Sequence, residues 1–217
     1  MANKHNIINV VFIKNGWFWT LAIGVPFIVL SQCLTSTFNI GAISKGATRM
    51  GISTLFWFGI TRWFERLELW TGSHCVNGTS GLVLIGFDKH ECRRVLNSQW
   101  KQMGVDLSGH VFLITYSLLV LMEEAQPYVR FRTPRSVDRA SDKYVKELRV
   151  RLGLYADLFF VLSGVMCLVW EAMLVSTCLY FHTFMHKLIA FVIAIAAWFT
   201  TYQFYYIQTY VPNPGPP

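Results

Sequence analysis

Five apolar runs, separated by short links, a turn and two polar loops, leave this chain few ways to fold. A hydrocarbon core about 30 Å thick is crossed by about 20 helical residues, and the runs at about 16–35, 50–69, 109–124, 154–181 and 187–206 meet or approach that length. Backbone N–H and C=O groups find no water in lipid, so a spanning segment must be a helix or part of a closed barrel. Runs of this length select helices. The expected fold is therefore all-α, a single polytopic helical bundle of about five spans over 1–217. Composition agrees: 53% of the 217 residues are hydrophobic and only 14% are charged, too apolar for an ordinary soluble domain of this size.

Charge asymmetry supplies an orientation. Between 126 and 151 eight bases (Arg130, Arg132, Arg135, Arg139, Lys143, Lys146, Arg149, Arg151) face three acids (Asp138, Asp142, Glu147). Basic loops stay in the cytosol, so the 125–152 loop is expected there. The larger 70–107 loop sets Lys89, Arg93, Arg94 and Lys101 against Asp88, Glu91 and Asp106, close to balance, and falls on the lumenal side. With five spans the turn at His182 is lumenal as well. The formal charge of +7 comes without a groove-reading motif or a separate basic domain, so nucleic acid is excluded as a partner. The N-terminus lacks the order of a cleavable signal peptide, and the first span is expected to direct insertion.

Cys33, Cys167 and Cys178 lie in apolar runs and read as packed side chains, whereas Cys75 and Cys92 share the 70–107 loop and can pair if it is lumenal. No CxxC or Cys/His spacing suits zinc, so no metal is expected. Asn77-Gly78-Thr79 is an N-glycosylation acceptor pattern.

Two histidines carry the candidate chemistry. Ser108-Gly109-His110 opens the third run and His182 lies between the fourth and fifth, so both imidazoles arrive at the lumenal face. Glycine permits close backbone approach, and a helix start offers free N–H groups to an anion such as a phosphate. A serine cap beside an interfacial histidine would read the same way. Lys187 either contributes charge to a phosphate or snorkels to the interface, and His186 shares a helical face with His182. Asp157 and Glu171 are acids within the fourth run, costly at membrane depth. The expected role for such an acid is an interhelical hydrogen bond, with a part in orienting an imidazole or lining a lipid cavity as the other reading.

Four ordered blocks of this sequence resemble the fat storage-inducing transmembrane (FIT) family of the endoplasmic reticulum: Asn6 to Thr20; Phe64 to Ser73, ending Thr71-Gly72-Ser73; Asp106-Leu107-Ser108-Gly109-His110 with the later Glu123-Glu124; and Tyr180-Phe181-His182 with Lys187. The resemblance implies a six-span pattern from which this chain lacks the first span. It also implies an enzyme of the endoplasmic reticulum membrane, related to lipid phosphate phosphatases, that cleaves the diphosphate of fatty acyl-CoA at a lumenal site and supports lipid-droplet formation. His182 would be the nucleophile and His110 the acid, with Ser108, Gly109 and Lys187 binding substrate and no cofactor required. The Lys-x6-Arg-Pro and Ser-Arg-x5-His motifs of related phosphatases are absent. Two other classes compete: a non-catalytic neutral-lipid or diacylglycerol binder that promotes droplet budding, motivated by the aromatic-rich spans, and a bis-histidine haem protein.

Overall fold

The structure, a computed structural model, describes residues 15–35, 40–71, 74–77, 80, 82–85, 100–103, 105, 107–132, 143–180 and 184–204. Five helices dominate: α1 (Gly16–Thr35), α2 (Ile40–Thr71), α3 (Gly109–Arg132), α4 (Lys143–Tyr180) and α5 (Phe184–Trp198), the last continuing into a π-helical turn, Phe199–Phe204. The helical membrane protein expected from the sequence is the fold observed. By length and composition α1, the Val150–Leu179 stretch of α4 and Phe184–Tyr202 can cross a bilayer.

α3 is the axis of the bundle. All eight residues from Val111 to Leu118 are buried, and such a helix, buried on every side, is one that others enclose. Small residues let the neighbours approach. α5 turns Ala190, Ala194 and Ala197 inward, while a methyl group on Gly16 of α1 would meet Leu113 Cδ2 at 2.6 Å. Successive helices alternate in direction. Gly16, Leu113 and Trp170 meet at one end, and Phe27, Tyr128 and Phe160 pack edge-on and tilted against one another toward the other. A column of rings, Trp57, Trp17, Tyr116, Phe112 and Phe64, then ties α2, α1 and α3 together at centroid spacings of 5.4–5.6 Å. Trp17 and Phe27 of the first span are buried in this packing, whereas Phe18 is exposed.

The helices outrun the expected spans. α2 begins ten residues before 50 because its first turns, including the Lys45–Arg49 link, pack on α1: a methyl on Gly46 would strike Ile28 Cγ2 at 2.6 Å. α4 begins at Lys143, inside the stretch assigned to the basic loop, and α3 runs on through Pro127 to Arg132. The 70–107 loop also holds structure that its glycine-rich sequence hid. Three short strands, β1 (His74–Asn77), β2 (Val83–Ile85) and β3 (Trp100–Met103), pair antiparallel in the order β2-β1-β3. Cys75, at the centre of β1, is wholly buried and disulfide-bonded; Cys92 lies outside the described residues.

At the end opposite Gly16, Arg49 Nε and Nη2 donate to Glu124 Oε1 and Oε2 at 2.7 and 2.8 Å, and Tyr202 Oη donates to Oε1 at 3.1 Å. The π-helical turn brings adjacent residues into play: Thr201 meets Tyr116 Oη at 3.4 Å while Tyr202 reaches Glu124. Breaking a buried pair from one side strands the other charge, whereas replacing both removes the desolvation cost with the attraction. Arg49→Ala and Glu124→Ala should each cost ~3–5 kcal/mol, and Arg49→Met with Glu124→Leu should recover most of it, read as thermal transitions of the detergent-solubilised protein.

Candidate active site

Ser108 is buried and ends the approach to α3. Its Oγ accepts the N–H of Val111 at 3.3 Å and its carbonyl accepts that of Phe112 at 3.1 Å, so Ser108 is the N-cap of the central helix. Gly109 and His110 form the first turn, whose N–H groups point out of the helix end. Gly109 is exposed, and a methyl group placed on it would meet nothing within 4 Å. His110 is half-buried.

The segment before the cap is held from α2. Thr71 Oγ1 donates to Leu67 O at 2.7 Å and accepts the N–H of Val105 at 2.9 Å, so the last turn of α2 fixes how the chain enters Ser108. Leu107, Phe64 and Phe112 form the apolar floor below. Thr71 was not among the expected site residues, although Thr71-Gly72-Ser73 stood in one of the resembling blocks. A hydroxyl that joins two segments leaves no periodic trace in a sequence.

The second histidine, His182, lies outside the described residues. The helices on either side of it in the sequence, α4 and α5, are described. Tyr128, late in α3, donates to Asp157 Oδ1, early in α4, at 2.7 Å. Ile114, early in α3, shares an apolar cluster with Trp170, late in α4. α3 and α4 are thus antiparallel, and the last turns of α4 and the first turn of α5 lie at the Ser108–His110 end. Lys187, in the first turn of α5, donates to the carbonyl oxygen of Cys178. That contact satisfies a carbonyl at the C-terminal end of α4, where a cation is favoured, and places the ammonium at the same end of the bundle as the cap.

The two acids of the fourth run part company. Asp157 makes the interhelical hydrogen bond expected of a membrane acid. Glu171, the more deeply placed, is exposed and has no hydrogen bond or ion pair among the described residues. Glu124, which sequence reading left as the close of a span, is instead the buried acid.

Replacing Ser108 by alanine should lower stability by ~1 kcal/mol through loss of the cap, whereas Gly109→Ala, in open space and a helical position, should not lower it. Thermal transitions of the two variants in detergent check this.

The family model described as "Fat storage-inducing transmembrane protein" matches residues 1–202. Among curated proteins, the acyl-coenzyme A diphosphatase FITM2 of Drosophila melanogaster is 32% identical over 237 residues, covering 99% of this chain and 52% of its own length. The Xenopus laevis protein of that name is 31% identical over 218 residues, covering 99% of this chain and 75% of its own. The human one is 28% identical over 218 residues, covering 100% and 76%. The chain thus spans about half the length of the fly relative and about three quarters of the two vertebrate ones. No solved structure matches it.

Proposed function

Because this chain belongs to the fat storage-inducing transmembrane protein family, we propose that it is a membrane-embedded acyl-CoA diphosphatase of the endoplasmic reticulum. In this reading it hydrolyses the CoA diphosphate to acyl 4'-phosphopantetheine and adenosine 3',5'-bisphosphate, in support of lipid-droplet formation. The names of its relatives support the reaction class. The observation that carries the site is the cap of α3: Ser108, Gly109 and His110 open the central helix at the end of the bundle where α4 ends and α5 begins, the two helices that flank His182 in the sequence.

The chemistry uses two imidazoles in complementary states. Neutral His182 attacks one phosphorus of the diphosphate, forming a nitrogen–phosphorus bond as the bridging P–O bond breaks. His110 delivers a proton to the departing phosphate oxygen. Water then cleaves the phosphohistidine and restores both rings. Backbone N–H groups at Gly109 and His110, aligned with the positive end of α3, balance charge on the transferring phosphoryl oxygens. Lys187 adds a cation at the same end, and burial of the Ser108 hydroxyl against the helix start keeps those N–H groups aimed outward. The charge pattern of the loops puts this end of the bundle in the lumen, with the 125–152 stretch in the cytosol.

A second reading has one observation in its favour. A groove of about 480 Å³ lined by Tyr128, Val129, Asp157, Phe160 and Val161 lies toward the opposite end, apolar but for the Tyr128–Asp157 bond, and suits a neutral lipid such as diacylglycerol. The two readings separate on product. Purified wild type given long-chain acyl-CoA should release adenosine 3',5'-bisphosphate, and His110→Ala and His182→Ala should each reduce turnover at least ~100-fold, the scale of a lost general acid. Lipid binding without release from folded wild type would leave the second reading standing.

A further inference from the structure

α4 carries its least explained feature on its outer face. Val161, Gly164, Leu168, Glu171 and Val175 recur at alternating intervals of three and four, the spacing of a helix–helix seam, and all five are exposed. Leu168 and Val175 are 66% and 58% exposed, so no neighbouring helix of the described chain covers them. Apolar side chains alone would need no explanation, since lipid is as good a neighbour as protein. Glu171 is different. It sits eight residues, about 12 Å of helical rise, from the Leu179 end of the Val150–Leu179 apolar stretch. A carboxyl at such depth is costly unless it meets another polar group. The same helix shows what a satisfied acid looks like: at Asp157, two heptads earlier and on nearly the same face, the end of α3 leans across and Tyr128 donates to the carboxylate. At Glu171 that cover is missing among the described residues.

We propose that this face of α4 is the interface of a parallel homodimer within the membrane, with Glu171 of each copy hydrogen-bonded to Glu171 of the other. Copies of one chain inserted in the same orientation share a two-fold axis along the membrane normal, and across it each residue meets residues at its own depth. A carboxyl group on the seam therefore meets its own counterpart, and two carboxyl groups that share a proton are mutual donor and acceptor. Gly164, where an added methyl would find nothing within 4 Å, leaves room one helical repeat away for the backbones to close, as small residues do at membrane interfaces. The Ser108–His110 cap lies on α3, enclosed by the other helices, so association through α4 leaves it accessible.

The test is association of the dye-labelled full chain in liposomes, counted by single-molecule photobleaching at about one protein per several thousand lipids. Wild type should be dimeric and Glu171→Gln, which keeps a donor and an acceptor, should associate equally well. Glu171→Leu should weaken association about 3- to 20-fold, the range measured for interhelical hydrogen bonds in membranes. Because Glu171 is exposed, its replacement should leave the thermal transition in place. In a chain with Cys33, Cys167 and Cys178 replaced by alanine, Leu168→Cys should cross-link on oxidation and Leu162→Cys, on another face of α4, should not. Monomeric wild type, undiminished association of Glu171→Leu, or equal cross-linking at 168 and 162 would each overturn the proposal.

Discussion

The bidentate pair between Arg49 and Glu124 governs how the rest of this bundle can assemble. A carboxylate with only 3% of its side chain exposed is tolerable within an apolar bundle when charge and hydrogen bonds reach it together, and here α2 supplies the guanidinium while α5 supplies the Tyr202 hydroxyl. Three helices are fixed in rotation by one residue of α3. Once Glu124 faces that way, the rest of the buried circumference of α3, most of it apolar, is closed by α1 and α4. The alanine stripe on α5 and Gly16 and Gly24 of α1 follow as the small contacts that such enclosure requires, while Gly46 lets α2 pack on α1.

That arrangement divides the bundle into two chemically distinct ends. His110 and Glu124 are 14 residues apart on one helix, about 21 Å along its axis, with the column of stacked rings lying between the cap and the ion pair. The ionic end locks the helices, and the cap end presents the polar chemistry. Placing the histidine on the first turn of the most enclosed helix gives the site a rigid base, because α3 cannot rotate without breaking the Glu124 contacts. A helix start so anchored is a firmer base for the proposed phosphate site than a loop would be. The short Thr71 bridge does for the incoming chain what the ion pair does for the helix.

Much of this was legible from residues alone. Apolar run length identified the helices of a membrane protein, and the Ser-Gly-His step correctly marked a helix start, because a serine cap is a local interaction written in adjacent residues. What escaped was non-local. Arg49 stands in the stretch between the first two apolar runs and Glu124 at the end of the third, and nothing in either neighbourhood reveals that they lie opposite each other. The small sheet escaped because its strands are three or four residues long and are joined by a pairing that glycine-rich composition conceals. Boundaries were read short wherever a helix continued past its apolar stretch, as α2 and α4 do: hydropathy reports the lipid, while the helix persists as long as packing supports it.

The two acids of α4 show where sequence reading reaches its limit and structure adds to it. Asp157 and Glu171 have the same chemistry, lie on one helix and are separated by two heptads, so a rule based on composition treats them alike. Structure separates them by one fact: α3 extends far enough past Pro127 for Tyr128 to cover the first, while at the depth of the second the described chain presents only an open face. A membrane helix can leave leucine and valine facing lipid indefinitely, but it keeps a carboxyl there only if something answers it. The residue that looks least finished within one copy is therefore the best indicator of what lies beyond it.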